Sequence, residues 1–176
     1  MALYDINLNN IAYFTSASNG QGHGQGQGQG NDLENIIFIK YNDAPFIIET
    51  PYMRCPFGIE KEYTNYILKL EFSDIKNNPA MNKFYNLIKH IEDINKDKLV
   101  SLYGDKYEYK SEIRQTGKYQ PQLICKIPNR FNKLEVDVYD IDNNHITTSD
   151  IKANSWVKCF ITVSYTHLTL PTIYSV

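Results

Sequence analysis

The residue types in this sequence that could do chemistry are aromatic rings interleaved with cations over positions 103–133. The rings are Tyr103, Tyr107, Tyr109, Tyr119 and Phe131, and the cations are Lys106, Lys110, Arg114, Lys118, Lys126, Arg130 and Lys133. From position 106 to 133 these seven cations stand against two anions, in a chain whose formal net charge is −2. A local basic stretch in a nearly neutral protein favours a binding face, although a solvated charged surface would have the same composition.

Single-stranded DNA is the ligand that this combination suits best. Its bases stack on flat rings and cations track its phosphates, with no reading of base edges. We therefore predict a nucleic-acid-binding set made up of Arg54, Tyr107, Tyr109, Lys110, Arg114, Lys118, Tyr119, Lys126, Arg130 and Phe131. On one strand Tyr107 and Tyr109 would face away from Lys110, so neighbouring loops must complete a mixed surface. The alternative, in which the tyrosines pack within the wall of a sheet, stays open at this point.

No catalytic or metal-binding set can be assembled from the sequence. The four histidines are scattered along the chain at His23, His90, His145 and His167. Asp137, Asp140 and Asp142 are close in sequence but run into an asparagine-rich turn, which favours turn residues over a metal site. No Ser or Cys has the setting of an activated nucleophile. We therefore predict a protein that is not an enzyme and that uses no cofactor and no metal.

The three cysteines indicate a reducing environment. Cys55, Cys125 and Cys159 are odd in number and form no CxxC pair, which argues against a disulfide framework and against structural zinc. The sequence has no apolar run long enough to span a bilayer and no signal-peptide pattern at its start. We expect an intracellular protein whose thiols are buried and reduced.

Short strands are the elements that must position the candidate residues. Short apolar or alternating runs, with turn residues between them, predict strands over 36–40, 46–49, 63–72, 107–114, 122–127, 134–141 and 156–162. In the run over 63–72, alternate residues from Tyr66 to Phe72 form the apolar face. The candidate binding residues therefore fall on strands and on the turns between them.

One helix is predicted between the strands over 63–72 and 107–114. Asn77 or Asn78 can cap it, Pro79 suits its first position, and apolar residues recur at helical spacing from position 81 to 94. Gly104 is expected to end its continuation. Short strands with one internal helix predict a mainly β fold, an OB-type five-stranded Greek-key barrel. A two-sheet sandwich would use the same elements.

Residues 1–162 divide into three segments by composition. Residues 1–18 predict an N-terminal arm, which could be a strand or a loose segment. In residues 19–31 Gly alternates with Gln, a composition that cannot bury apolar surface and therefore predicts a flexible linker. The single-stranded-DNA-binding domain of the OB type is expected over 32–162.

Residues 163–176 form a fourth segment that differs in composition from the rest. From Val163 to Thr172 it contains no Asn, Lys or acidic residue. Read back into codons, the segment resembles one frame of a transposase-type sequencing adapter. We therefore expect a non-native tail at 163–176, and an OB-type barrel whose final strand or strands are missing, leaving an open edge.

Residues 45–58, PFIIETPYMRCPFG, resemble the N-terminal signature of the single-stranded-DNA-binding proteins of nucleocytoplasmic large DNA viruses. That family is similar to the replicative single-stranded-DNA-binding protein of short-tailed phages. Further matches follow in the same order: Phe84-Tyr85 in the helix, YKSEIR over 109–114, YQP over 119–121 and WVKC over 156–159. The resemblance covers about residues 36–162, and the Gly-Gln linker has no place in it.

The resemblance implies an OB-fold that binds single strands without sequence preference in viral DNA replication, recombination and repair. It implies a viral replication site in the host cytoplasm or nucleus. It also implies an acidic C-terminal tail that recruits replication proteins, which would be missing here; a homodimer is left open. The alternative function is a non-enzymatic virion or structural interaction protein with a β-sandwich fold. A salt-sensitive preference for single over double strands would separate the two.

Overall fold

The computed structural model describes residues 6–15, 37–104, 109–131, 133–164 and 168–175. The predicted Gly-Gln linker and Tyr107 lie outside these ranges. Within them the protein is mainly β with one long helix, as the sequence predicts. No helix in this part of the chain is both long and apolar enough to cross a bilayer.

The elements follow one another as short strands around a single helix, α1 (Pro79–Tyr103). The strands are β1 (Ile11–Thr15), β2 (Ile37–Tyr41), β3 (Ala44–Pro45), β4 (Ile47–Glu49), β5 (Met53–Cys55), β6 (Ile59–Glu62), β7 (Asn65–Glu71), β8 (Ile113–Arg114), β9 (Gln122–Ile127), β10 (Asn129–Arg130), β11 (Lys133–Leu134), β12 (Asp137–Tyr139), β13 (His145–Ile146), β14 (Ser155–Val163) and β15 (Leu168–Ser175). Two short 3-10 turns cover Leu8–Asn10 and Thr148–Asp150.

Helix α1 forms because its start, its buried stripe and its end are all encoded locally. Asn78 caps it through a hydrogen bond from Met81 N to its Oδ1 (3.1 Å), and Pro79 follows at the first helical position. Phe84 lies on the stripe that faces the core and is completely buried. Gly104, with φ +68, follows the last turn. The predicted cap, core stripe and end of the helix are confirmed.

One curled sheet forms the body of the protein. β14 pairs with β5, β5 with β7 and β7 with β9, all antiparallel, while β15 pairs antiparallel with β14 and parallel with β9. These pairings link β14, β5, β7, β9 and β15 in a ring. β4, β6, β8, β12 and β13 extend the sheet at its margins. The predicted fold class, a mainly β fold of the OB type with one internal α-helix, is confirmed, and the two-sheet sandwich is not the arrangement that forms.

The strand β15 comes from the segment that the sequence analysis assigns to a non-native tail. It runs beside β14, with Ser175 opposite Val157 and Leu168 opposite Val163, and it also pairs with β12 and β9. The non-native origin of residues 163–176 stays a prediction, and so does the prediction that native closing strands are missing.

A three-stranded antiparallel sheet, β1–β2–β3, lies beside this body. Ile11 pairs with Tyr41, and both Ile11 and Tyr13 pack against the core. The Tyr13 hydroxyl donates a hydrogen bond to Asn95 Oδ1 of α1 at 2.8 Å. The predicted N-terminal arm is therefore a strand over residues 11–15 and is tied to the helix.

The core joins the inner face of the curled sheet to α1. Alternate strand residues are fully buried there, namely Met53, Cys55, Leu68, Leu70, Leu123, Cys125, Val157 and Cys159. The prediction that all three cysteines are buried free thiols is confirmed, and burial raises the pKa of Cys55 to about 11. Because strand side chains alternate, the residues between the buried ones point to the outer face of the sheet.

The strand predicted over 107–114 is wrong over 109–112, because only Ile113–Arg114 pairs as β8. The reason lies in α1, whose Glu92 carboxylate is buried against this segment. Glu92 accepts hydrogen bonds from Glu112 N (2.8 Å), from Ile113 N (3.3 Å) and from the Ser111 hydroxyl (2.9 Å). The helix therefore satisfies backbone groups that a neighbouring strand would otherwise bind.

Candidate nucleic-acid interface

One row of side chains crosses the outer face of five strands. Trp156 (β14) lies opposite Arg54 (β5), Arg54 opposite Glu71 (β7), Glu71 opposite Gln122 (β9) and Gln122 opposite Arg114 (β8). Directly paired residues share a face of the sheet, and the residues that alternate with these form the core. All five therefore project outward, and we call them the outer row.

A clamped ion pair lies at the centre of the outer row. The Arg54 guanidinium donates from Nε and Nη2 to the two carboxylate oxygens of Glu71, at 3.2 and 2.8 Å, and from Nη1 to Asn154 Oδ1 at 3.2 Å. Burial raises the pKa of Glu71, but hydrogen bonds from Arg54 and Ser73 and the Arg54 charge outweigh burial and lower it. Arg54, a predicted binding residue, is thus a fixed donor whose charge Glu71 neutralises.

Four partly exposed aromatic rings lie close to this ion pair in the sheet or in the chain: Phe57 and Tyr119 line a cavity with it, Trp156 is paired with Arg54, and Tyr52 lies two residues before Arg54. Their exposed fractions are 45% for Trp156, 48% for Tyr52, 54% for Phe57 and 65% for Tyr119. Lys158 Nζ lies 5.8 Å from the centroid of the Tyr52 ring, and Lys69 Nζ lies 5.4 Å from that of Phe57. Large rings gathered on one exposed surface indicate a binding site more than they indicate packing.

A tight turn before β6 determines where Phe57 stands. Gly58 has φ +75, and a Cβ at this position would lie 2.9 Å from the backbone oxygen of Ile151, so only glycine fits. The Gly58 carbonyl accepts a hydrogen bond from Cys55 Sγ at 3.4 Å. The turn thereby places Cys55 in the core and leaves Phe57 exposed beside Arg54.

Cations on the outer face differ in how far acidic side chains neutralise them. Lys69 Nζ lies 3.0 Å from Glu60 and 3.1 Å from Glu62. Arg114 and Lys118 are exposed and form no ion pair within the described residues. Charge available to a polyanion is therefore greater at the β8 end of the outer row than at its centre.

Three predicted cations surround the half-buried carboxyl group of Glu112. Burial raises the pKa of Glu112 to about 7, with a smaller contribution from Glu92 and against the opposing charges of Arg114, Lys126 and Lys110. Glu112 therefore gains its negative charge near neutral pH, in the middle of this group. The net positive charge of the group depends on pH for that reason.

A turn before β9 carries Lys118 and Tyr119. Tyr119 N donates a hydrogen bond to Thr116 O at 3.2 Å, and Gly117 supplies the left-handed residue of the turn with φ +57. Both Lys118 and Tyr119 are exposed. Tyr119 lines the same cavity as Arg54, and Lys118 lies in the turn that joins Arg114 of β8 to β9.

Other predicted residues lie away from the outer row. Arg130 and Phe131 belong to the β10–β11 hairpin, where Phe131 is 95% exposed with φ +49. Along β9 the backbone advances about 17 Å from Gln122 in the outer row to Ile127, at 3.3 Å per residue, and the hairpin follows Ile127 in the chain. Tyr109 is half-buried. The predicted set therefore divides into one group at the outer row and a second at the hairpin.

A cavity of about 480 Å³ opens beside the outer row, within the range of small-ligand pockets. Its lining residues are Arg54, Pro56, Phe57, Lys69, Glu71, Thr116, Tyr119, Gln120, Gln122 and Asn154. It thus combines exposed aromatic rings and carboxamides with charged groups that are already paired. Among the described residues no group of three or more His, Cys, Asp or Glu is placed to hold a metal.

Sequence reasoning did not assign Trp156, Phe57, Tyr52 or Gln122 to the site. For Trp156 a signal existed, since it precedes the buried Val157 in an alternating strand and must therefore point outward. Phe57 lies in the bend after β5 and Tyr52 in the irregular segment before it, so for these two no periodic signal was available. Their proximity to the outer row depends on strand pairings between residues far apart in the chain.

Comparisons with known proteins give resemblance in fold only. No family model and no curated protein matches the chain. Among solved structures it is similar to gp2.5, a single-stranded DNA binding protein encoded by bacteriophage T7, at 11% identity and TM-score 0.49, over 75% of this chain and 86% of that one. It is also similar to a C-terminally truncated single-stranded DNA-binding protein from bacteriophage Enc34, at 13% identity and TM-score 0.45, over 83% and 92%. Neither similarity assigns a function, which must come from the surface itself.

Proposed function

We propose that this protein binds single-stranded DNA across the outer face of its curled sheet, without requiring a particular sequence. The observation that carries the proposal is the outer row with its neighbouring rings: Trp156, Tyr52, Phe57 and Tyr119 are exposed close to one ion pair. Bases of a single strand present flat faces that such rings can stack upon, whereas the bases of a duplex are already stacked on each other.

Cations are placed to follow the phosphates of a strand that crosses this face. Arg114 and Lys118 lie at the β8 end of the outer row, and Lys126 lies farther along β9. The hairpin with Arg130 and Phe131 follows β9 directly in the chain. We therefore propose that the strand runs along β9, with stacking concentrated at the outer row and phosphate contacts toward the hairpin.

The resemblance of residues 45–58 to the proteins of nucleocytoplasmic large DNA viruses supports a more specific proposal. We infer a non-enzymatic role in viral DNA replication, with recombination and repair, at the replication site in the host cell. Replication proteins are the partners that the resemblance implies, and assembly as a homodimer stays a prediction. The virion or interaction-protein alternative has no observation on this surface that favours it.

Trp156 supplies a direct test, because it is the only tryptophan in the chain and stands in the outer row. Oligothymidine would be titrated into the full chain while tryptophan emission and the anisotropy of a labelled strand are followed at two salt concentrations. We expect quenching that tracks binding, weaker binding at the higher salt, and no displacement by duplex.

The same titration distinguishes the proposed function from its alternative. A folded protein that neither binds oligothymidine nor shows quenching would contradict the proposal and favour a structural interaction protein. Duplex that competes equally with the single strand would also contradict it, since exposed rings would then have no role. Circular dichroism on the same sample establishes that the protein is folded.

A further inference from the structure

The cavity beside the outer row differs from the rest of the interface because its charges are already satisfied. Arg54 is bound to Glu71, and Lys69 lies within 3.1 Å of both Glu60 and Glu62. A phosphate entering here would meet no unpaired cation among the described lining residues. The chemistry of the cavity therefore suits a neutral, planar group with polar edges.

Two aromatic side chains supply flat surfaces for such a group. Phe57 and Tyr119 both line the cavity and are more than half exposed. Base stacking on a ring is tolerant of sequence, because every base has a π-face. Rings alone would thus hold a base without identifying it.

Arg54 and Asn154, which both line the cavity, can identify the base because the hydrogen-bonding groups that they have left are mainly donors. Three of the five N–H donors of Arg54 are bound to Glu71 and Asn154, which leaves two. Arginine cannot accept a hydrogen bond, so the Asn154 atom facing it must be the oxygen, and the Asn154 amide nitrogen keeps its two donors. Both oxygens of Glu71 are already engaged by Arg54 and Ser73.

We propose that this cavity takes one nucleobase of the bound strand and favours guanine over adenine by its edge. The guanine edge carries two adjacent acceptors, O6 and N7, which match paired donors, whereas adenine places a donor beside N7. The carboxamides of Gln120 and Gln122 complete the cavity. The inference rests on the proposed function and restricts it at one nucleotide, while the remaining nucleotides bind without preference.

The experiment compares oligothymidines of equal length that carry one central guanine, one central adenine or neither. Dissociation constants are measured by anisotropy at two salt concentrations. We expect the guanine strand to bind roughly tenfold tighter than the adenine strand, within the discrimination that one bidentate contact provides. Because all three strands have the same phosphates, the ratio of constants should not change with salt.

Asn154→Gly is the variant that tests the polar lining of the cavity. Asn154 has φ +67, so glycine keeps the backbone conformation while the amide is removed. We expect the guanine preference to fall to about twofold or less. Asn143→Gly is the matched control: Asn143 has φ +62 in a turn that does not line the cavity, and this variant should keep the preference.

The possible outcomes separate the inference from the proposed function. Equal binding of the three strands by the wild-type protein, or a preference for adenine, would overturn the inference and leave single-strand binding intact. A guanine preference that survives in Asn154→Gly would overturn it as well. Failure of the folded wild-type protein to bind any of the strands would instead overturn the proposed function.

Discussion

The outer row and the β10–β11 hairpin both combine rings with cations, but they hold these side chains in different ways. In the outer row, Arg54 is fixed by hydrogen bonds to Glu71 and Asn154 and by its place in the sheet. At the hairpin, Arg130 lies opposite Lys133, and both are exposed with no ion pair to a described residue. The centre of the outer row is fixed and neutral, whereas the hairpin is exposed and positive.

This difference indicates a division of roles on one binding face. Fixed donors and rings lose little conformational entropy when a base docks, so they suit short-range contacts. Exposed cations attract phosphates over a longer range, and that attraction weakens as salt screens it. We therefore expect the outer row to determine affinity at high salt and the hairpin to contribute to its dependence on salt.

The largest effect is expected when two rings beside the outer row, which line the cavity, are removed. In a Phe57→Ala, Tyr119→Ala double variant, affinity for oligothymidine should fall by about 2–4 kcal/mol, since stacking contributes roughly 1–3 kcal/mol per base. The slope of log K against log salt should not change, because no cation is lost. Anisotropy titrations at four salt concentrations measure both quantities.

Tyr63→Ala is the control for the loss of an exposed aromatic ring. Tyr63 is 98% exposed at the turn between β6 and β7 and does not line the cavity. Its affinity should match the wild type. If the double variant also bound as well as the wild type, the outer row would not be the stacking surface.

The next effect concerns the ion pair that fixes the outer row. Arg54→Met leaves the Glu71 carboxylate buried beside Ser73 alone and should lower the free energy of unfolding by about 1–2 kcal/mol at pH 7. This is less than for a fully buried pair, because the Arg54 side chain is 38% exposed and solvent screens it. Urea denaturation at several pH values provides the measurement.

The pH dependence of that variant has a defined sign. In the wild type the pKa of Glu71 is lowered, so its stabilising contribution is present above the ordinary pKa of 4.5 and is lost as pH falls through the lowered value. In Arg54→Met no cation offsets the cost of burying the charged Glu71 carboxylate. Protonation of Glu71 at low pH removes that cost. The deficit relative to wild type should therefore shrink below about pH 4.5; a deficit that stays constant with pH would exclude the ion pair as its cause.

Much of the fold could be predicted from the sequence because its signals are local. The cap at Asn78, the buried stripe through Phe84 and the end at Gly104 lie within one helix. The apolar run over 122–127, which is followed by the turn residues Pro128 and Asn129, forms as β9 with those bounds. The prediction of a strand over 107–114 was wrong over 109–112 because Glu92, which is distant in sequence, accepts hydrogen bonds from the backbone N–H groups of Glu112 and Ile113.

The site was predictable only in part, for the same physical reason. Charge counting found Arg114 and Lys118, which are exposed cations near the outer row. It could not find that Arg54 pairs with Glu71, because strand pairing between β5 and β7 determines that contact. Nor could it find that burial turns Glu112 into a group that titrates near neutral pH.

Glu112 offers a smaller effect, which depends on pH. Its pKa of about 7 lies above the ordinary value of 4.5, so the folded protein binds the extra proton between these pH values. Stability should therefore fall as pH rises from about 4.5 to 7, and Glu112→Gln should be more stable than the wild type at pH 8 by about 1 kcal/mol. Thermal melts at pH 5 and pH 8 measure the difference.

The same titration should change DNA binding. Above pH 7 the charged Glu112 partly cancels the positive charges of Arg114 and Lys126. The affinity of the wild-type protein for DNA at low salt should therefore fall between pH 6 and pH 8, whereas that of Glu112→Gln should be the same at both pH values. Glu135→Gln removes an exposed carboxylate that is not among the charges acting on Glu112, and it should retain the pH dependence. A wild-type affinity that is flat over this range would show that this cation group does not contact the strand.

The smallest loss of affinity is expected at the hairpin, where the change in the salt dependence of binding is more informative than the loss itself. Arg130→Gln with Lys133→Gln should weaken binding by less than about 1 kcal/mol at moderate salt, because both cations are exposed. If each contacts one phosphate, the slope of log K against log salt should decrease by about 1.4, at roughly 0.7 per phosphate for single strands. Lys83→Gln on α1, also exposed, removes a charge away from β9 and should leave the slope unchanged. An unaltered slope in the hairpin variant would confine the DNA to the outer row, and the strand would then not run along β9 to the hairpin.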